Sequence, residues 1–180
     1  MLEKMYSNSW VKMRNRYKVL ITGTSSGLGK ALVAKFFSKG HQVLAHTGRK
    51  HCDLSNPENL TKIVDEALGF GVDVLINNAA IVCPNLKFEN YNEQTIIEMI
   101  NVNLTAPILL SYHLQHKLKK IININSMVGL EIKTPRTLYS ATKWGLRGFS
   151  NSLKKENKDL NVLDVYPTNI KTTPDRENAM

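Results

Sequence analysis

Cysteine is scarce. Two residues, Cys52 and Cys83, in a chain of 180 allow at most one bridge. That excludes a disulfide-stapled scaffold and matches a reducing, cytoplasmic setting. Long apolar runs are missing: no stretch approaches the roughly 20 apolar residues of a bilayer span, so no membrane partner is expected. The opening MLEKMYSNSWVKMRNRYK has no apolar core of the signal-peptide kind. Glu3 and the shortage of serine argue against a transit peptide as well. Acidic side chains are few, 15 against 24 basic, giving a net charge of +9. A basic surface favours anionic partners, and nucleic acid is one class of them. The excess is spread, however, over Lys4, Lys12, Arg14, Arg16 and Lys18, then Lys117, Lys119 and Lys120, then Lys154, Lys155 and Lys158. No finger, RNP-like or basic-zipper pattern accompanies it. Solubility and attraction for a phosphorylated small molecule account for it better than nucleic acid. With 42% hydrophobic and 22% charged residues, a disordered chain is excluded and one well-filled domain is expected.

Residues 1–16 read as a basic arm outside the fold, and residues 17–180 as a single domain. The run Lys18-Val19-Leu20-Ile21-Thr22 predicts a strand, followed by a glycine-rich turn and a helix from Gly29 to about Lys39. Leu28, Leu32, Val33, Phe36 and Phe37 recur there at helical spacing. Gln42 to His46 predicts a second strand. Asn56-Pro57 opens a helix with Ile63, Val64, Ala67 and Leu68 on its inner face. Val72 to Asn77 predicts a strand, Gln94 to about Lys117 a long helix bent at Pro107, and Ile121 to Ile124 a strand. Thr137 to about Asn157 predicts a helix and Asn161 to Tyr166 the last strand, with a short extra strand at Cys52–Leu54. Alternating strands and helices imply a doubly wound parallel α/β sheet with right-handed crossovers. Between Arg49 and Asp53 there is no room for the helix such folds place after their second strand. Fourteen residues beyond Tyr166 leave no room for a final helix and strand, so a C-terminally shortened sheet is expected.

The first strand runs into Thr22-Gly23-Thr24-Ser25-Ser26-Gly27-Leu28-Gly29 and straight into a helix. Free backbone N–H groups and a helix N-terminus at a glycine turn suit a pyrophosphate. The spacing differs from the GxGxxG fingerprint but has its strand–turn–helix setting. The acidic residue that would hold the ribose 2′-hydroxyl of NAD is missing after the second strand. Arg49 and Lys50 stand there instead and would attract a 2′-phosphate, favouring NADP(H) with NAD(H) as the alternative.

In Tyr139-Ser140-Ala141-Thr142-Lys143 the tyrosine and lysine are i and i+4 and share a helix face. A nearby ammonium favours the phenolate and brings an otherwise remote tyrosine pKa toward neutrality. Ser126 follows the Ile121–Ile124 strand at its carboxyl end, where open α/β sheets bind ligands. A hydroxyl there would donate to a carbonyl or alkoxide oxygen.

Together these motifs resemble the short-chain dehydrogenase/reductase family, in its classical branch, from about Lys18 to Thr172. Thr22, Gly23, Gly27 and Gly29 match TGxxxGxG; Cys52-Asp53-Leu54 resembles the adenine contact; Asn77-Asn78-Ala79-Ala80 resembles NNAG. Asn101-Val102-Asn103-Leu104 resembles the segment bearing the catalytic asparagine, Asn103. Ser126-Met127-Val128-Gly129 matches SxxG, Tyr139 and Lys143 match YxxxK, and Pro167-Thr168-Asn169-Ile170-Lys171-Thr172 resembles PGxIxT. The resemblance implies a Rossmann fold with a dinucleotide across the sheet. It implies catalysis by Asn103, Ser126, Tyr139 and Lys143. It implies cofactor contacts from Gly23, Thr24, Ser25, Ser26, Gly27, Leu28, Gly29, Arg49, Asp53, Leu54, Asn78, Ala79, Ala80, Tyr139, Lys143, Pro167, Ile170 and Thr172. Ala80 and Thr168 depart from the pattern by replacing glycines. The implied partner is a small carbonyl or alcohol, and the implied assembly a homodimer through the two long helices, with Ile108, Leu109, Tyr112, Trp144 and Phe149 at hand.

Two other readings compete. A non-catalytic or weakly active dinucleotide-binding sensor would agree with Thr168 and the short C-terminus, and a nucleic-acid binder would use the basic arm. His113 and His116, at i and i+3, lack a carboxylate or thiol companion and are set aside as a metal site. The His46, His51, Cys52 and Asp53 cluster is set aside as a zinc site because the family places that segment beside adenosine. No metal is expected.

Overall fold

Three of the five strands are apolar nearly end to end, which suits strands covered on both faces. In the computed structural model, which describes residues 16–83, 86–168 and 170, they form one parallel sheet in the order β2-β1-β3-β4-β5. The elements are β1 (Lys18–Ile21), α1 (Gly27–Ser38), β2 (Gln42–Ala45), α2 (Leu60–Phe70), β3 (Val74–Asn77), α3 (Glu93–Ile100), α4 (Ala106–Leu114), β4 (Lys120–Ile124), α5 (Thr137–Glu156) and β5 (Asn161–Val165). Leu20 pairs in register with Leu44 on one side and Leu75 on the other. The chain therefore leaves β1 first toward β2, then returns to place β3 on the opposite side. The loops after β1 and β3 diverge, and the crevice between them faces the strands' carboxyl ends. Alternation of side chains divides the core. Leu20, Leu75, Ile121 and Val162 pack with Ile63, Ala67, Leu110 and Leu114 from α2 and α4. Val19, Ile21, Val74 and Ile76 face Leu32, Val33 and Phe36 of α1.

The doubly wound parallel sheet is as expected, with local corrections. Residues 52–54 are not a strand. The amides of His51 and Cys52 both donate to Gly48 O, closing a turn that carries the chain away from the edge of β2. Cys52 and Leu54 are buried in the core as loop residues. Phe37 and Leu68 are exposed, because each lies just beyond the apolar arc that its helix turns to the sheet. The long helix is three pieces: α3, a π-helical segment Asn101–Thr105, and α4. Pro107 has no N–H to give a carbonyl four residues earlier and its ring crowds that carbonyl; the widened turn upstream accommodates both. The helical run Glu93–Leu114 is long enough to cross a bilayer, with a mean hydropathy of 1.2. Here its Met99, Val102, Ala106, Leu110 and Leu114 are core residues. The arm expected at residues 1–16, apart from Arg16, and Thr172 lie outside the described residues.

A polar chain runs across β3, β4 and β5 on the sheet face that α5 covers, buried at Asn77, Asn123 and Ser150 and half-buried at Asp164 and Tyr166. Asn77 Nδ2 donates to Asn123 Oδ1 at 2.7 Å, and Asn123 Nδ2 to Ser150 Oγ at 2.8 Å. Ser150 Oγ donates to Asp164 Oδ1 at 2.7 Å, and the Tyr166 hydroxyl donates to Asp164 Oδ2 at 3.0 Å. Burial and the adjoining Asp164 carboxylate push the Tyr166 phenol up to about 12, so it stays a donor. The chain pins α5 in register over β3, β4 and β5. Asn123→Leu strips partners from Asn77 and Ser150 together. It should cost about 1–3 kcal/mol in urea unfolding, the penalty for stranding buried polar groups.

Candidate active site

The turn after β1 is shaped by contacts that leave no space for side chains. Gly23 has φ +68°, a left-handed backbone. A Cβ on Gly29 would lie 2.0 Å from Gly23 O and 2.6 Å from Asn78 Nδ2. Asn78 Nδ2 donates to the carbonyls of Thr22 and Gly23 at 2.8 and 2.9 Å. The Thr22 hydroxyl oxygen accepts from the amides of Asn78 and Ala79 at 3.0 and 3.1 Å. Sequence reasoning used Thr22 only as a motif letter; its buried hydroxyl welds the ends of β1 and β3. Ser25 and Ser26 are exposed at the mouth, Gly27 and Leu28 half-buried, and Gly29 opens α1 from the buried side. Ala79 and Ala80 follow Asn78 along the facing loop. The turn is a concave cradle of backbone at a helix N-terminus, which fits a pyrophosphate.

On the adenosine side expected from the resemblance, Arg49, His51, Cys52, Asp53 and Lys62 line a surface hollow of about 350 Å³. The Arg49 side chain is 61% exposed, its guanidinium bonded to Glu98 of α3 and 3.9 Å from Asp53. Asp53 Oδ1 accepts from the amide and hydroxyl of Ser55. Burial pushes its carboxyl up, but those bonds and Arg49 outweigh it and leave the pKa below the usual value. Glu98 carried no motif, and only the folded chain brings it to Arg49.

Four predicted catalytic residues come together around α5. Asn103 lies in the π-helical segment, almost wholly buried. Its Oδ1 accepts from the Ile81 amide at 2.7 Å, and its Nδ2 donates to Ile81 O at 2.9 Å and to Thr142 Oγ1 at 3.3 Å. It therefore braces the loop after β3 against α5. Ser126 caps a short 3-10 turn, its Oγ accepting from the Val128 amide at 3.3 Å. Its own amide donates to Asn125 Oδ1, and Asn125 Nδ2 donates to Lys143 O. Gly129 closes the same turn, where a Cβ would meet Asn125 Oδ1 at 2.6 Å and Lys143 O at 3.2 Å. That is the physical reason for glycine in the SxxG pattern.

Tyr139 packs with Met99, Val128 and Leu138, beside Ile81 and Cys83. Lys143 is 2% exposed, its Nζ 5.6 Å from the Tyr139 ring centroid and donating to Ile124 O at 2.9 Å. Burial lowers its ammonium to about 8, partly opposed by the Asp164 carboxylate. Pro167 and Ile170 follow β5 half-buried, and Pro167 O accepts from the Met127 amide at 3.4 Å, so this loop adjoins the Ser126 turn. The arrangement holds a phenol and an ammonium on one helix face, beside a serine hydroxyl and at the carboxyl ends of β3 and β4. It is equipped to pass a proton to or from a substrate oxygen. Among the described residues no cluster of three His, Cys, Asp or Glu side chains suits a metal ion.

The sequence pattern of the family described as short chain dehydrogenase matches residues 45–179. The chain is 36% identical over 152 residues to the 3-oxoacyl-[acyl-carrier-protein] reductase FabG of Aquifex aeolicus, with 81% of this chain and 60% of that protein covered. It is 26% identical over 207 residues to sorbitol-6-phosphate 2-dehydrogenase of Klebsiella pneumoniae, with 96% and 77% covered. Among solved structures, ligand-free aldohexose dehydrogenase of Thermoplasma acidophilum superposes with a TM-score of 0.80 at 27% identity, over 91% of this chain and 71% of that one. A 4-hydroxyisoleucine dehydrogenase complexed with NADH gives 0.76 at 26%, over 84% and 75%.

The lowered Lys143 pKa sets a pH signature. The unfolded chain binds more protons than the folded one between about 8 and the ordinary lysine value near 10.5. Wild-type stability relative to Lys143→Met should therefore rise as pH increases through that window. Paired urea melts at several pH values check this; a difference constant with pH would show that the ammonium is not held at a cost.

Proposed function

The chain belongs to the short-chain dehydrogenase family, a family of oxidoreductases with a nicotinamide-binding fold, and on that premise we propose that it is an NADP(H)-dependent reductase of carbonyl compounds or dehydrogenase of secondary alcohols. The observation that carries the reading is the Tyr139–Lys143 pair, with a buried ammonium 5.6 Å from the phenol ring. When bound, the nicotinamide supplies or accepts the hydride. Tyr139 gives its hydroxyl proton to the substrate oxygen, or takes it in the reverse direction. Lys143 stabilises the phenolate and so lowers the energy of that transfer. Ser126 orients the same oxygen by donating its hydroxyl hydrogen. Asn103 fixes Ile81 and Thr142 beside Tyr139, in the place from which the family pattern extends the proton relay to water. For the cofactor we assign Gly23, Thr24, Ser25, Ser26, Gly27, Leu28 and Gly29 to the pyrophosphate, Arg49 to a 2′-phosphate, Asp53 and Leu54 to adenine, and Pro167, Ile170 and Thr172 to the nicotinamide amide and pyrophosphate, with Asn78, Ala79 and Ala80 as further contacts.

A cytoplasmic homodimer completes the proposal, with exposed Tyr112 of α4 and Trp144 of α5 offering apolar surface to a second copy. The similarity to ketoacyl and sugar-phosphate enzymes supports a carbonyl or alcohol substrate without naming it.

Tyr139→Phe deletes one hydroxyl and little volume. It should reduce kcat at least about 100-fold, the scale of general acid catalysis, while leaving nucleotide Kd nearly unchanged. NADPH oxidation over a panel of aldehydes and ketones reads this out. Retention of most activity would place the acid elsewhere, and silence of the wild type across the panel despite tight nucleotide binding would select the non-catalytic binder.

Cofactor choice rests on His46-Thr47-Gly48 at the end of β2, which brings no carboxylate to the ribose, and on Arg49. Arg49→Ala should weaken NADPH about tenfold while sparing NADH. Equal losses for both nucleotides in calorimetry would contradict the NADP(H) assignment.

A further inference from the structure

His46 is the first residue beyond β2 and is 2% exposed, yet no motif includes it. Its ring touches both halves of the nucleotide crevice. Nδ1 lies 3.3 Å from the Gly23 amide, and Nε2 lies 2.7 Å from Cys52 O. An amide only donates and a carbonyl only accepts, so the pair fixes a neutral imidazole with its hydrogen on Nε2. The His46 carbonyl adds to the grip: it accepts from both the amide and the hydroxyl of Thr24 at 2.9 Å. Cys52 in turn directly precedes Asp53, beside the hollow that Arg49 overlooks. One side chain thus joins the left-handed Gly23 turn to the loop on the adenosine side.

We propose that His46 is a positioning residue for the nucleotide, coupling the pyrophosphate turn to the adenosine-side loop only while its imidazole is neutral. The inference rests on the reading that this crevice holds a dinucleotide. A second proton would place an N–H at Nδ1 against the Gly23 N–H, two donors face to face. Gly23 cannot move off toward β3, because its Cα hydrogen already faces Ala79, where a Cβ would lie 2.7 Å from Ala79 Cα. The turn then loses the acceptor that sets the direction of its first amide.

The titratable and charged groups around the ring are His51, Glu66, Asp53, Arg49 and Lys62. His51 stacks on His46 at 5.5 Å and is held 2.7 Å from Glu66 of α2. Asp53 is drawn toward Arg49, and Lys62 Nζ donates to His51 O at 2.9 Å. Burial lowers the His46 pKa most; Cys52 O, Glu66 and Asp53 oppose this and His51 reinforces it. The net direction is below the usual 6.5, so the ring is neutral at pH 7 and takes its proton only on acidification.

Two measurements on the full chain test this. In the nucleotide-free protein, the Gly23 amide and the His46 ring should titrate together by NMR, with a midpoint below about 6.5. In His46→Asn, whose side-chain oxygen can accept in place of Nδ1 but cannot gain a proton, the Gly23 signal should be flat. By calorimetry, wild-type affinity for NAD⁺, whose pyrophosphate keeps its charge, should fall about tenfold from about pH 7.5 to 5.5. The His46→Asn affinity should hardly change over that range. A Gly23 amide blind to His46 protonation, or parallel affinity slopes in the two proteins, would overturn the proposal. Coupled titration of Gly23 in a wild type that binds no NAD⁺ or NADPH would sustain the coupling and overturn the dinucleotide reading instead.

Discussion

The Thr22 hydroxyl is the fixed point on which the crevice depends. β1 and β3 are neighbours whose following loops must part, and parting strands lose backbone partners. Thr22 accepts from the first two amides beyond β3, so the divergence begins without stranding them. With that junction set, Asn78 reaches back to the carbonyls of Thr22 and Gly23. Gly29 then closes on Gly23 so tightly that no side chain fits. A few conventional hydrogen bonds thus turn a strand crossover into a backbone cradle.

A second constraint operates at the far side of the crevice, where a charge is held away from water. Among the described residues Lys143 has a carbonyl partner and an aromatic face, and no carboxylate within ion-pair distance. Burial of that kind is costly for a cation. The surrounding polar chain from Asn77 to Asp164 keeps α5 seated so that the cost is borne in one place. The Asp164 carboxylate of β5 opposes that cost from a distance and favours the charged ammonium. An unusual side chain, strained electrostatically and supported on two sides, is a recurrent property of reactive centres.

The legible part of the molecule is that governed by local pattern. Apolar runs of four or five residues separated by helical periodicity specify the order of elements, and a tyrosine and lysine four apart specify their common face. The boundaries moved where tertiary contacts intervened. Cys52–Leu54 has strand-like composition, but the Gly48 turn directs it into the core as a loop. The bend expected at Pro107 is spread upstream into a π-helical segment, which also carries Asn103 into its pocket.

The sequence by itself determined the parallel doubly wound sheet and the positions of the glycine turn, Ser126, Tyr139 and Lys143, because periodicity and spacing are properties of neighbouring residues. Only the tertiary structure decided that Glu98 meets Arg49 across 49 positions, and that His46 sits between Gly23 and Cys52. The same holds for the burial that brings the Lys143 ammonium to about 8. Those are relations between segments distant in the chain, and they exist only where the packed sheet brings those segments together and excludes water.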